Sequence, residues 1–311
     1  MVRTLRAAGD EAVGIDVNPS PYTEFVSTVS DRAANVDCMD GVDVVFHTAT
    51  LHKPHVVTHS KSDFIETNIQ GTLVLLEEAV AAKVSSFIYT STTSLFGDAL
   101  RPPADQPAAW VTEDITPIPK NIYGVTKSAA EDLCHLFHRQ HSLDCIALRT
   151  SRFFPEDDDD DAKRSSFSRD NLKTNELLYW RAEIADVVSA HLLAAQRAPD
   201  LHFGLYIISA TSPFERTRLG ALRNDAPSVL RDLLPEYEAV YEDLGWHMFE
   251  GVDRVYVNEA ARRCLGWEPQ YSFKRALDYL ARGKDPRSPL AQAIRLKGYH
   301  KEVYEDGPYP V

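Results

Sequence analysis

Asn121-Ile-Tyr-Gly-Val-Thr-Lys-Ser-Ala-Ala-Glu-Asp-Leu-Cys134, followed shortly by Cys145-Ile-Ala-Leu-Arg149, is the stretch on which the fold turns. The first run is made of good helix formers, and the second is apolar and of strand length. Tyr123 and Lys127 stand four residues apart, so a helix projects both side chains from one face, about one turn apart. That spacing has a chemical use. An ammonium beside a phenol favours the phenolate and lowers its pKa from the ordinary value of about 10. A phenol tuned toward neutrality can take a proton from a substrate hydroxyl or return one. Chance alone supplies about half a Tyr-x-x-x-Lys in a chain of this composition, so the neighbouring segments must carry the argument.

Upstream the same alternation of strand and helix repeats. Val84 to Tyr89 reads as a buried strand ending in Thr90-Ser-Thr-Thr-Ser-Leu-Phe-Gly97. Hydroxyls at a strand's C-terminal tip lie where ligands bind in open α/β sheets, although Ser/Thr-rich turns are also common. Asp63 to Ala79 is strongly helical, with Phe64, Leu73, Leu76 and Val80 on a core face. Asn68 lies inside it, where an amide either faces solvent or ties adjacent backbone together. Gly41 to Thr50 reads as an apolar strand with small residues at its end, which let a ring or phosphate approach the backbone. Glu11-Ala-Val-Gly-Ile-Asp16 reads as a short strand ending in a carboxylate, and Met1 to Gly9 as the back half of an amphipathic helix capped by glycine. Alternation from Glu11 to Arg149 predicts an α/β fold with a doubly wound parallel sheet. A unit of that kind opens with a strand and a glycine-rich turn at a helix N-terminus. No such turn stands upstream of Asp16, so much weaker dinucleotide affinity is expected if Met1 is the true start.

Composition narrows the class. The 311 residues carry a net charge of −13, which argues against nucleic acid or anionic membranes as main partners. No apolar run approaches the roughly 20 residues of a membrane helix, and no secretory leader is visible. Cys38, Cys134, Cys145 and Cys264 are scattered and form no metal-ligand pair, which suits reduced thiols and a cytoplasmic location.

Downstream, His135, His138 and His141 recur every three residues, but nothing completes a metal set, and charges at a helix C-terminus explain them more simply. Glu156 to Asp161 is an unbroken acidic run, read as a solvated loop without the spacing or glycine of a calcium site. Glu183 to Ala195 reads as a helix and Gly204 to Ser209 as a final strand. The expected division is a nucleotide-binding domain over 1–151 plus about 181–210, and a smaller lobe with tail over 152–180 and 211–311.

Six features in order resemble the extended short-chain dehydrogenase/reductases, specifically the NAD-dependent epimerase/dehydratase group (UDP-glucose 4-epimerase-like). They are Gly14-Ile-Asp16; Val42-Asp-Val-Val-Phe-His-Thr-Ala49; Asn68-Ile-Gln-Gly-Thr-Leu73; Tyr89-Thr-Ser-Thr-Thr-Ser-Leu-Phe-Gly97; Tyr123-x-x-x-Lys127; and Arg181-Ala-Glu-Ile-Ala-Asp186. Val257 to Trp267 is similar to the group's closing helix and its Leu-Gly-Trp turn. The resemblance implies a Rossmann-like sheet carrying NAD and a C-terminal lobe closing over substrate. Tyr123 would be the acid/base, with Lys127 bonding the nicotinamide ribose and tuning Tyr123. Thr92 would hydrogen-bond the reacting oxygen, with Ser91 the fallback. Asp16 would hold the adenosine ribose, and Ala49, Asn68, Ser91 and Ser151 would line the cofactor side. Arg152 stands where nucleotide-sugar members place Asn, and could grip a phosphate or carboxylate of the substrate. The implied chemistry is hydride transfer from a secondary carbinol to NAD, returned later by an epimerase or dehydratase. An alcohol or carbonyl reductase of the same family and a cofactor-less binding protein are the alternative readings. Association as a homodimer through the two long helices is a further expectation from the resemblance.

Overall fold

The structure is a computed structural model that describes residues 1–153 and 161–294. It divides into two compact units, the first made of Met1–Leu95, Pro119–Arg149 and Val188–Tyr206, the second of Phe96–Ile118, Thr150–Val187 and the residues from Ile207 onward. Eight strands occur among the described residues: β1 Ile15–Asp16, β2 Phe25–Val26, β3 Val44–His47, β4 Ser86–Thr92, β5 Ala109–Val111, β6 Asp144–Thr150, β7 Phe203–Ile208 and β8 Arg254–Tyr256. A four-stranded sheet runs in the order β3-β4-β6-β7, and β3 pairs with β4 in parallel from Val44–Ser86 to His47–Tyr89. Helices separate these strands in the chain, so their parallel connections are crossovers.

In the first unit, the Gly71–Ala81 and Ile122–His141 helices supply Leu75, Leu76, Ala79, Ala130 and Cys134 to a core completed by Phe87, Tyr89 and Ala147 of the sheet. Burying a side chain the size of Phe87 or Leu76 stabilises the fold by about 2 kcal/mol. The opening helix, Val2–Ala8, ends at Gly9 in the left-handed region (φ 94°), as its sequence requires. The strand expected over Glu11 to Asp16 shortens to the two residues of β1, which pairs with β2 instead of joining the four-stranded sheet. The Gly14 N–H is taken by the Glu24 carboxylate at 2.6 Å, and the Gly14 carbonyl by Glu24 and Phe25 N–H groups, leaving no ladder before Ile15.

The helix expected over Asp63 to Ala79 runs from Lys61 to Ala81, but its middle, Ile65–Gln70, is π-helical. Such a widened turn rotates the residues it contains relative to a regular helix and recurs at functional positions. Asn68 lies in it. β4 runs past Tyr89 to Thr92, so two residues of the hydroxyl cluster beyond Thr90 continue the strand instead of starting a turn.

The second unit has its own core, including Leu178, Phe214, Leu222, Leu230, Val255, Phe273 and Leu277, with β5 and β8 paired in parallel. The helix expected within Val257 to Trp267 is Glu259–Leu265. Beyond it Trp267 is fully buried and donates from Nε1 to the Asp186 carbonyl at 3.1 Å, while the Asp186 carboxylate accepts from Gln270 and Tyr271 N–H groups at 2.8 and 2.9 Å. The Pro-rich segment after Gly97 joins this unit through β5. The acidic run lies outside the described residues except Asp161, where the Asp161–Ser166 helix begins.

Candidate active site

The Ile122–His141 helix starts at Asn121, whose side chain accepts from the Gly124 N–H at 3.1 Å. Gly124 is required by close approach: a Cβ there would lie 3.0 Å from the Pro119 Cβ and 3.4 Å from the Ser94 carbonyl oxygen. The first turn is thereby pressed against the end of β4, and the next two turns meet that strand as well. Tyr123 hydrogen-bonds the Thr92 hydroxyl. Lys127 donates from Nζ to the Thr90 carbonyl at 2.6 Å and lies 4.1 Å over the Tyr89 ring. Ser91 donates to Glu131 Oε1 at 2.5 Å. The side chains of Tyr89, Ser91, Thr92, Tyr123, Lys127 and Glu131 are buried.

Burial governs their acidity. It pushes the Tyr123 phenol up to about 12, against the Thr92 hydrogen bond, which acts in the other direction. It pushes Lys127 down to about 7, opposed by the Glu131 carboxylate and then Cys134. The sequence expectation that Lys127 lowers the Tyr123 pKa is therefore corrected. Burial sets the phenol's acidity, and the ammonium is engaged by a carbonyl and an aromatic face. The Ser91 hydroxyl donates to Glu131, while Thr92 meets Tyr123.

Asn68 is buried and ties backbone together. Its Oδ1 accepts from the Leu51 N–H at 2.8 Å, and its Nδ2 donates to the Leu51 carbonyl at 3.1 Å and the Thr126 hydroxyl at 2.9 Å. This clamp joins the π-helical turn, the turn after β3 and the Tyr123 helix. His52 follows Leu51, with its ring centroid 5.9 Å from that of Tyr123. Burial, then Lys127, then His55 lower its pKa to about 3, so it is neutral at physiological pH. His47 is held as the Nε2–H tautomer, since Thr72 Oγ1 donates to the Asn68 carbonyl and accepts from His47 at 2.9 Å.

Ala49 packs at the margin of the first unit's core. Asp16 is exposed at the end of β1, its carboxylate accepting from the Asn18 N–H at 2.8 Å. Neither touches the Tyr123 cluster in any contact described above. Ser151 and Arg152 belong to the second unit. The Ser151 N–H donates to the Ile208 carbonyl at 2.9 Å, while its buried hydroxyl has no hydrogen-bond partner among the described residues. Arg152 forms a parallel bridge with Arg181. At the other end of the Tyr123 helix His135 stacks on Phe203 at 4.3 Å, and His138 donates from Nδ1 to the Leu143 carbonyl. Among the described residues no group of three His, Cys, Asp or Glu side chains is placed to hold a metal.

Sequence reasoning passed over Glu131, Thr126 and His52. Tyr123, Lys127 and Glu131 recur at four-residue steps, the signal that would have placed all three on one buried face.

A phenol on a strand-end threonine, with a lysine one turn further along the helix, on a parallel α/β sheet, defines a short-chain dehydrogenase/reductase unit. The chain belongs to the NAD dependent epimerase/dehydratase family, whose sequence profile matches residues 1–208. It is 30% identical over 131 residues to an NAD-dependent glucose-6-phosphate dehydrogenase of Haloferax volcanii, covering 40% of this chain and 49% of that protein. It is 31% identical over 165 residues to an uncharacterised UDP-glucose epimerase of Bacillus subtilis, covering 47% of this chain and 49% of that one. The chain thus spans about half the length of these curated relatives. A short-chain dehydrogenase/reductase superfamily protein of Agrobacterium tumefaciens, solved with bound NAD, has the same fold, with a TM-score of 0.62 at 22% identity over 90% of this chain and 92% of that one.

Proposed function

We propose that the chain is an NAD-linked oxidoreductase acting on a sugar carbinol, with a nucleotide sugar as the preferred substrate class and epimerisation or dehydration as the outcome. The observation that carries this reading is the Tyr123–Thr92 hydrogen bond with Lys127 on the same buried helix face. The first unit's residues suit the cofactor: Asp16 is an exposed carboxylate at a strand tip for the adenosine ribose, and Ala49 is a small side chain after β3. NAD, when bound, supplies the hydride acceptor. Lys127 is the group of this chain for the nicotinamide ribose. Thr92 orients the reacting oxygen, and Tyr123 moves its proton. At neutral pH Tyr123 is a protonated phenol, poised to give its proton to a carbonyl oxygen. Arg152 is assigned to a phosphate of the substrate, for which a fork of donors is suited.

A second reading is net oxidation of a sugar, favoured by the likeness to a glucose-6-phosphate dehydrogenase. Incubation with NAD and a panel of nucleotide sugars and sugar phosphates tests both. Product without accumulated NADH supports the epimerase or dehydratase, and NADH in proportion to product supports the dehydrogenase. No product, with no NAD-dependent rise in melting temperature at high cofactor, would remove both.

A further inference from the structure

Glu131 stands one turn beyond Lys127 on the same buried face. Its carboxylate accepts from Arg149 Nη2 at 2.8 Å and Nε at 3.1 and 3.3 Å, as well as from Ser91 at 2.5 Å. Arg149 projects from β6 and is itself buried, 4% exposed, as is Glu131. Three charges therefore share a dry space behind the phenol: two cations and a carboxylate. Lys127 is faced by Glu131 and Cys134 of its own helix and by the Tyr89 ring and Thr90 carbonyl of β4. His47 and His52 lie near enough to feel its charge.

We propose that Glu131 is a positioning residue that keeps Lys127 charged by pairing off Arg149, so that the cluster carries one net positive charge behind a protonated Tyr123. Arginine does not deprotonate in a protein, whereas a buried lysine yields its proton readily. Without the carboxylate, two cations would be confined together and Lys127 would become neutral. With it, the cluster is neutral overall once Tyr123 has given up its proton, the condition under which an ionised phenol is tolerated in a buried site. The same carboxylate holds the Ser91 hydroxyl, fixing the strand between the Thr90 carbonyl that receives Lys127 and the Thr92 hydroxyl that receives Tyr123. The catalytic consequence rests on the reaction proposed above, but the charge relation does not.

The test is NMR titration of protein labelled with ¹³C at lysine Cε, the Lys127 signal being identified by its loss in Lys127→Met. Glu131→Gln is expected to lower the Lys127 midpoint by at least about one pH unit, a tenfold change in its protonation equilibrium. Glu131→Asp should stay near the wild type. The double variant Glu131→Gln/Arg149→Met removes one charge of each sign and should return the midpoint to within about half a unit of the wild type. An unmoved midpoint in folded Glu131→Gln, or a double variant displaced as far as the single, would overturn the proposal. If Glu131→Gln does not fold, the double variant decides alone: a midpoint near the wild type supports the charge relation, and one displaced by a unit or more overturns it. A moved midpoint with unchanged turnover would uphold it and remove only the catalytic reading.

Discussion

Burial makes Lys127 add stability as pH rises, where a lysine held charged by a salt bridge would lose it. Its midpoint falls from 10.5 to about 7 through burial, a difference of 10.5 − 7 = 3.5 units. At about 1.36 kcal/mol per unit, this amounts to about 5 kcal/mol across the whole window. Below about pH 7 both folded and unfolded chains carry the charge, and folding bears the full cost of burying it. Above that pH the folded chain releases the proton while the unfolded chain holds it up to about 10.5. The unfolded state then binds more protons, and stability rises with pH. Between about pH 7 and about pH 9 this group should add about 2 kcal/mol. Lys127→Met removes the titration; the donor it takes from the Thr90 carbonyl gives an offset that does not vary with pH. Urea denaturation of both proteins across that range should therefore show the wild type gaining on the variant by about 2 kcal/mol. Parallel curves would refute the assignment of a buried lysine whose midpoint lies near pH 7.

Asn68→Ala removes one buried and two part-buried hydrogen bonds and leaves the Leu51 N–H and carbonyl without their amide partner; a loss of about 2–4 kcal/mol in urea unfolding is expected. In the second unit, burial raises the Asp186 carboxyl from 3.8 to about 6. The folded chain holds that proton longer than the unfolded one, so this contribution is complete below about pH 4 and is lost as pH rises to about 6. The loss is about 3 kcal/mol, from 2.2 units, and thermal unfolding of Asp186→Asn over that range should lack it.

Much of the frame was legible because it rests on local chemistry. Gly9 ends the first helix for want of a Cβ, and the left-handed Gly266 before Trp267 ends the Glu259–Leu265 helix. Helix Ile122–His141 follows from its composition and the Asn121 cap. Asn68 was read correctly as one of two alternatives, but the π-helical turn that aims it carries no clear sequence mark. Glu131 escaped notice because a glutamate among helix formers usually faces water. Its burial is imposed by Arg149, 18 residues away on a strand. The acidity of Tyr123 was misread for a related reason: spacing on a helix shows which groups share a face, but not how deeply the phenol is buried. β1 shortened because the Glu24 carboxylate, ten residues on, takes the Gly14 N–H.

Tyr123→Phe tests the central claim most directly, since it deletes the hydroxyl and keeps the ring. Turnover of the substrate found in the NAD-dependent panel should fall by about 10²–10⁴-fold, while NAD still raises the melting temperature as it does for the wild type. Turnover retained within a few-fold, with the same thermal shift, would contradict the assignment of Tyr123 as the group that moves the substrate's proton.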